Sequence, residues 1–243
     1  MKNKLTKTKL LLIITVALLL ILIGATLIYL LTGNYSADKD AIAAFAADGV
    51  SEYEDDDGNM IFEPEGGSEV GFIFYPGGKV DHEAYIPLMR ALAEEGVFSV
   101  LIDMPFNIAI FDTGAAEDPI ERYSDISRWY IGGHSLGGAM AASYAADNTS
   151  RLSGVVLLAA YSSEELSLDV LSVYGSEDKV LDMDSYDEYL ANLNGELYEH
   201  VIEGGCHAYF GMYGEQAGDG TPTITPEEQI MITTDLILHF IYG

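Results

Sequence analysis

The chain has 243 residues and a formal net charge of −28, and 49% of its residues are hydrophobic. The charge excludes a nucleic-acid-binding surface, which would be basic, and the hydrophobic content excludes a wholly disordered chain. Cys206 is the single cysteine, so no intramolecular disulfide can form and the fold depends on its hydrophobic core.

The N-terminal segment is predicted to be a transmembrane signal-anchor helix. Residues 10–31 are 22 residues without a charge or a proline. As a helix they would extend about 33 Å, enough for a hydrocarbon core of about 30 Å. Four lysines precede this segment, and all 39 acidic residues follow it. The positive-inside rule therefore predicts a single-pass cell-membrane protein with residues 1–9 as a cytoplasmic basic tail and the remaining chain outside.

A cleaved signal peptide, and thus a secreted product, is the alternative. The apolar region of such a peptide normally has about 7–15 residues, and this one is longer. The sequence that follows, from Leu31 to Ala37, also lacks a good small-residue cleavage site. An uncleaved anchor is therefore favoured.

A short juxtamembrane segment, 32–49, contains a predicted helix over 37–49 that ends at Gly49. A hairpin is predicted next, with strands Val50–Tyr53 and Met60–Phe62 around an acidic Asp-Gly turn. Its acids also suggest a calcium loop, but counted from Asp55 the glycine is fourth instead of sixth, and residue 66 is Gly where an EF-hand loop has Glu. A solvated turn is favoured.

The rest of the chain alternates between apolar strands and helical stretches. Strands are predicted at 71–75, 98–103, 129–133, 155–160, 170–174 and 198–202, and helices near 82–95, 115–124, 136–147, 182–193 and 226–242. The last helix begins with a capping box formed by Thr225 and Glu228. This order predicts a single α/β domain over 50–243, with a mainly parallel sheet and helices on both faces.

The strongest chemical signal is Gly133-x-Ser135-x-Gly137, between a predicted strand and an Ala-rich helix. It predicts a nucleophile elbow, in which Ser135 lies on a sharp turn and His134 occupies the first variable position. The flanking glycines are needed because a side chain there would collide with the strand or the helix. The N-terminus of the helix would face the negative charge that develops during acyl transfer. A glycine-rich turn without chemistry is the alternative.

A serine nucleophile needs a general base, and His207 is the best candidate. His200 lies inside a predicted strand and His239 near the end of the last helix, whereas His207 follows a strand and two glycines on a loop. In hydrolases of this order the base comes after Ser135 and the acid.

Asp178, directly after the strand 170–174, is the best candidate for the acid that orients the base. Glu177 or Asp182 could substitute. The oxyanion of the tetrahedral intermediate needs two N–H donors, which are predicted to be those of Leu136 and Gly78. The loop that contains Gly78 cannot be a phosphate-binding loop of the G-x-x-x-x-G-K-[ST] type.

These motifs together resemble the α/β-hydrolase superfamily. In chain order they are Pro76-Gly77-Gly78, Gly133-His134-Ser135-Leu136-Gly137-Gly138, Gly175-Ser176-Glu177-Asp178 and Gly204-Gly205-Cys206-His207. The strings 75–81, 104–107 and 207–211 are also similar to the bacterial α/β-hydrolase fold-5 family. The resemblance implies an α/β-hydrolase fold, a Ser135–His207–Asp178 triad and hydrolysis of an ester-like bond. Pro76 departs from the pattern, since many relatives have His there.

The expected substrate is a small neutral ester. Residues 32–243 carry 7 basic against 39 acidic residues, a field that repels anions. No long insertion precedes the strand 170–174, so no large cap domain is expected. Candidate pocket residues are Met104, Phe106, Tyr209 and Phe210. Neither a cofactor nor a metal is expected. Alternatives are a thioesterase, peptidase or acyltransferase with the same triad, or an inactive surface binding protein.

Overall fold

The computed structural model describes residues 7–243, so residues 1–6 of the predicted cytoplasmic tail lie outside the described residues. The chain divides into two compact units, one that ends at Asn34 and one that spans Tyr35–Gly243. Boundaries at residues 32 and 50 stay a prediction.

The N-terminal unit is built on helix α1, Lys7–Leu31. The prediction of a helix here is confirmed, and most of the described apolar side chains along it, such as Leu18 and Leu22, are exposed. In the described part of the chain, however, no helix is long and apolar enough to cross a membrane. The membrane-spanning role predicted for residues 10–31 is therefore not confirmed.

Helix α2, Lys39–Ala44, is shorter than predicted. Asp38 begins it by accepting the N–H of Ala41. Its end is fixed by Arg90, whose guanidinium donates to the carbonyls of Ile42 and Phe45 at 3.0 and 2.9 Å. The apolar pattern up to Gly49 predicted a longer helix, because it does not show that a distant arginine donates hydrogen bonds to these carbonyls.

An eight-stranded sheet forms the centre of the larger unit, in the order β1-β2-β4-β3-β5-β6-β7-β8. The pairs β1–β2 and β2–β4 are antiparallel and all others are parallel, which confirms the predicted mainly parallel sheet. The strands are β1 Val50–Glu54, β2 Met60–Pro64, β3 Val70–Tyr75, β4 Phe98–Leu101, β5 Arg128–His134, β6 Gly154–Leu158, β7 Val170–Gly175 and β8 Leu197–Ile202. At one edge, β8 exposes every residue but its last.

Alternate residues of the central strands contribute to two separate hydrophobic cores, as the two-residue period of a strand requires. On β3, Phe72 and Phe74 belong to one core, and Ile73 and Tyr75 to the other. Helices α3, Ile86–Glu94, and α7, Pro226–Tyr242, cover the first core, and α5, Leu136–Asp147, covers the second. The predicted capping box at the start of α7 is present.

The acidic turn between β1 and β2 is not simply solvated. Asp55 accepts the N–H groups of Asp57 and Asn59, and Arg122 pairs with both Asp55 and Asp57. Arg122 lies in α4, Glu117–Arg122, so the turn is held by a cation 65 residues farther along the chain. Within residues 7–243, no cluster of His, Cys, Asp and Glu is suited to a metal ion.

The loops after β3, β5, β7 and β8 all leave the same edge of the parallel sheet, because parallel strands end together. The connection from β6 to β7 contains no helix in the described structure, and the short helix α6, Met183–Tyr189, follows β7. This edge therefore carries the predicted functional residues without a cap domain above them.

Candidate active site

Ser135 lies between the end of β5 and the first turn of α5 in a left-handed conformation, with φ of 52° and ψ of −122°. Such a backbone is rare for a residue with a side chain and is held by its surroundings. A Cβ on Gly133 would lie 2.6 Å from the carbonyl oxygen of Tyr75, and one on Gly137 would lie 2.2 Å from that oxygen. The turn therefore requires both glycines, as the steric argument from sequence predicts.

His207 and Asp178 form a buried pair. Nδ1 of His207 lies 2.8 Å from Oδ2 of Asp178, while Oδ1 of Asp178 accepts the N–H groups of Val180 and Leu181, both at 2.8 Å. Both carboxylate oxygens are thus occupied, and the His207 ring is oriented by one of them. An acid that holds an imidazole in this way fixes its tautomer, with the proton on Nδ1, and stabilises the imidazolium.

The two alternative acids have other hydrogen-bond partners. At the start of α6, the carboxylate of Asp182 accepts hydrogen bonds from the hydroxyl and the N–H of Ser185. These bonds lower the pKa of the Asp182 carboxyl. Glu177 donates its N–H to the carbonyl of Gly205. Among the three predicted acids, Asp178 is the one whose carboxylate contacts His207.

The Nε2 atom of His207 is buried and has no hydrogen-bond partner within the described structure. His207 and Ser135 line the same cavity. An imidazole with one nitrogen held by a carboxylate and the other unoccupied can accept a proton from a serine hydroxyl.

The two predicted oxyanion donors are neighbours. A Cβ on Gly78 would lie 2.9 Å from Cδ2 of Leu136, so the loop after β3 packs directly on the first residue of α5. Among the described residues, neither backbone N–H of this pair donates a hydrogen bond. The N–H of Gly77 is used differently, since it donates to the hydroxyl of Tyr85 at 3.1 Å. Gly78 and Leu136 therefore present two unused donors beside Ser135.

His134 has a role that the elbow motif does not predict. Its buried ring lies with Nδ1 2.8 Å from the Tyr85 hydroxyl. The Tyr85 hydroxyl accepts the N–H of Gly77 and has its own proton available for Nδ1 of His134. Burial and the neighbouring His207 hold the pKa of His134 well below its ordinary value. No sequence signal identifies Tyr85, which lies 49 residues before His134.

The cavity beside Ser135 has a volume of about 300 Å³. Mostly apolar side chains from α5 and from the loops after β6 and β7 form its walls, and no lysine or arginine is among its lining residues, which are Ser135, Leu136, Ala139, Ala159, Ala160, Tyr161, Val180, Leu181, Asp182 and His207. A pocket of this kind suits a small neutral group.

None of the four residues predicted for a substrate pocket lines this cavity. Met104 and Phe210 are buried in the two cores, Tyr209 is half-buried, and Phe106 is exposed, with its ring 5.8 Å from that of Phe111. These four residues were predicted because they are large apolar side chains close to the motifs in the sequence. The walls instead come from small residues such as Ala139 and Ala160, which carry no such signal.

Comparisons with known proteins agree with the fold. Residues 71–231 match the model of a family described as the alpha/beta hydrolase family. No curated protein matches the chain. Among solved structures, Est1E from Butyrivibrio proteoclasticus is 15% identical, with a TM-score of 0.58 over 80% of this chain and 100% of its own. A dienelactone hydrolase from Anabaena variabilis is 16% identical, with a TM-score of 0.58 over 79% of this chain and 98% of its own.

Proposed function

The chain belongs to the alpha/beta hydrolase family, and on that basis we propose that it is a serine hydrolase that cleaves a carboxylic ester through an acyl-enzyme. The observation that carries the proposal is the His207–Asp178 pair at 2.8 Å, whose base lines the same cavity as Ser135. The strained turn at Ser135 supports it further.

In the proposed reaction, Oγ of Ser135 attacks the ester carbonyl while Nε2 of His207 takes its proton. The N–H groups of Gly78 and Leu136 stabilise the oxyanion that forms. His207 then protonates the departing alcohol, which leaves the acyl group on Ser135. Water attacks this ester with His207 again as base, and the acid is released. Asp178 stabilises the imidazolium in both steps.

The cavity supports a small neutral acyl group as the substrate part bound beside Ser135. Its volume of about 300 Å³ and its alanine-rich lining favour an acyl chain of modest length. An anionic group would meet no lysine or arginine among the residues that line the cavity, and Asp182 would repel it.

The test is hydrolysis of p-nitrophenyl esters from acetate to decanoate by the full-length protein, compared with Ser135→Ala. Ser143→Ala, in the same helix but outside the cavity, is the matched control. We expect Ser135→Ala to lose at least about a thousandfold in kcat, as is usual for loss of a nucleophile, and Ser143→Ala to retain its activity. Equal activity of Ser135→Ala and the wild type would refute the proposal.

A thioesterase, peptidase or acyltransferase could use the same groups, because the triad does not select the leaving group. Thioester, peptide and transfer substrates should therefore be compared at equal concentration. A fluorophosphonate probe separates all of these enzymes from an inactive binding protein, since only an activated Ser135 is labelled by it. Labelling of the wild type and not of Ser135→Ala is expected.

For the location of the enzyme, we propose an outward-facing domain attached to the cell membrane through residues 10–31, or secreted if that segment is cleaved. The support is the uncharged segment itself and the lysines that precede it. No membrane-spanning helix was found among residues 7–243, so this placement rests on the sequence alone. Protease treatment of intact cells should remove the domain if it faces outward, and carbonate extraction should leave it in the membrane fraction unless it is cleaved.

A further inference from the structure

We propose that Asp219 is a positioning residue that ties the loop of the base to the loop of the acid. The inference rests on the proposed function, because it assigns to Asp219 the task of holding His207 where it meets Asp178. Asp219 lies in the long connection between the turn Ala208–Phe210 and helix α7, and it belongs to none of the motifs seen in the sequence.

The carboxylate of Asp219 accepts hydrogen bonds from both loops. On the base loop, Oδ1 accepts the N–H of His207 at 3.2 Å and Oδ2 accepts that of Ala208 at 2.9 Å. On the acid loop, Oδ1 accepts the N–H of Lys179, the residue after Asp178, at 3.4 Å. One side chain thus holds the backbone at both positions that carry the proposed base and acid.

The connection that carries Asp219 also lies against the acid loop. The N–H of Gly220 donates to Oδ1 of Asp219 at 2.8 Å, which fixes the carboxylate on its own loop. A Cβ on Gly220 would lie 1.8 Å from the carbonyl oxygen of Glu177, so only glycine allows this approach. The backbone is therefore close enough for the Asp219 carboxylate to reach both loops.

Other contacts between the two loops lie nearer to the strands. Glu177 donates its N–H to the carbonyl of Gly205 at 2.8 Å, and the Ser176 hydroxyl accepts the N–H of Gly204 at 2.8 Å. These bonds align the strand ends, but they do not include His207 or the residues that follow Asp178. Asp219 alone among the described carboxylates accepts N–H groups from both the 178–179 and the 207–208 segments.

The charge of Asp219 is required for this role. Burial raises the pKa of its carboxyl, but the N–H groups of Ala208, Gly220 and His207 together lower it below the ordinary value, so the group is ionised at neutral pH. An ionised carboxylate can accept all of these bonds on two oxygens. An asparagine offers one acceptor oxygen, and its NH₂ group would face N–H donors.

The test compares Asp219→Asn with Asp169→Asn in the full-length protein. Asp169 is a matched control because its Oδ1 accepts the N–H of Glu196 at 2.8 Å, which joins the beginnings of β7 and β8, at the edge of the sheet remote from Ser135. We expect Asp219→Asn to lower kcat on p-nitrophenyl esters about 10- to 100-fold, because a misplaced base costs rate in this range. KM should change by less than about threefold, because the cavity walls are intact. Asp169→Asn should keep its kcat within about twofold, since surface changes of this kind are small.

Melting temperatures of both variants show that each is folded when it is assayed. An unchanged kcat in Asp219→Asn, or an equal fall in the two variants, would overturn the proposal while leaving the proposed function intact.

A second measurement does not depend on esterase activity. The Asp219 carboxylate contributes, after burial, to the raised pKa of the neighbouring Cys206 thiol. Loss of the Asp219 charge by itself enlarges the thiolate fraction, so the labelling rate constant is compared per thiolate, from the pH dependence of the reaction. Release of the loop in Asp219→Asn should raise this rate constant of Cys206 at least about fivefold, because access to the thiol increases. Unchanged labelling would overturn the role of Asp219. If the wild type hydrolyses no ester and takes no fluorophosphonate, the proposed function fails, and labelling of Cys206 alone decides whether Asp219 holds the loop.

Discussion

The ring centroids of His134 and His207 lie 4.6 Å apart, so the residue before the nucleophile packs directly on the proposed base. The hydroxyl of Tyr85 lies 2.8 Å from Nδ1 of His134, and both histidine rings are buried. Two imidazoles in contact cannot both be protonated without repulsion. The geometry thus requires a neutral His134 behind His207, and this has measurable consequences.

His134 should make the protein less stable as the pH falls. Its pKa is lowered in the folded state, so below about pH 6.5 the unfolded chain binds a proton that the folded chain excludes. Stability linked to His134 is therefore present above the unfolded pKa and is lost below it. The control is His134→Asn, which keeps an acceptor for Tyr85. Compared with this variant, the free energy of unfolding of the wild type should show an additional slope against pH that approaches about 1.4 kcal/mol per pH unit. Urea unfolding between about pH 8 and pH 5 measures it. Parallel stability curves would contradict the prediction.

Tyr85→Phe should lower both stability and activity. It leaves the buried N–H of Gly77 and Nδ1 of His134 without partners, at a cost of about 1–3 kcal/mol. Because Gly77 precedes the proposed oxyanion donor Gly78, kcat should fall as well. Tyr130→Phe is the control, since it removes a longer hydrogen bond, 3.4 Å, to the carbonyl of Ile241. Thermal unfolding and ester hydrolysis are measured together. A Tyr85 variant no more impaired than the Tyr130 variant would argue against the link.

Cys206 should be unreactive in the native protein. It is buried, and burial together with the Asp219 carboxylate raises the pKa of its thiol to about 12. At about pH 8 the thiolate that reacts with Ellman's reagent is therefore scarce. One thiol per chain should react rapidly in guanidinium chloride and slowly without it. Rapid, stoichiometric reaction of the native protein would show that the loop is open.

The small side chain of Ala139 should set the acyl length that the enzyme accepts. Ala139 lines the cavity beside Ser135 and is only partly buried, so a larger side chain can be placed there without disrupting the core. Ala139→Leu should reduce kcat/KM for octanoate relative to acetate about tenfold or more, the usual scale for hydrophobic pockets. Ser143→Leu, one turn farther along α5, tests for a general effect of the helix. The same ratio in Ala139→Leu and the wild type would place the acyl group elsewhere.

The parallel strands could be predicted from the sequence, and so could the meeting of Ser135, Asp178 and His207 at one edge of the sheet. The strands and the three residues are each marked by a local pattern. A glycine-flanked serine, an acid after a strand and a histidine on a glycine loop are all readable within about ten residues. Their contacts follow once parallel strands end at a common edge.

What the sequence does not show is the surroundings of these three residues. The partnership of Tyr85 with His134, the bonds of Asp219 and the alanine walls of the cavity each join segments that are far apart in the chain. No short-range pattern marks them, because a tyrosine, an aspartate or an alanine is common in any context. Two arginines show the same limit of sequence-based prediction in the fold. Arg90 ends helix α2 and Arg122 holds the turn between β1 and β2, and both act on elements far away in the chain.

The proposed base is carried by the loop that follows the outermost strand of the sheet. That strand, β8, pairs on one side only and exposes nearly all of its residues, whereas the strand before Ser135 is paired on both sides and buried beyond its first residue. Edge elements with few buried contacts open at lower free energy than the centre of a fold. The proposed nucleophile and the proposed base are thus carried by segments of unequal local stability. Mild denaturation should therefore displace the base from the nucleophile while the hydrophobic core is still intact. Loss of activity before loss of tertiary structure would then reflect the unpaired flank of one strand.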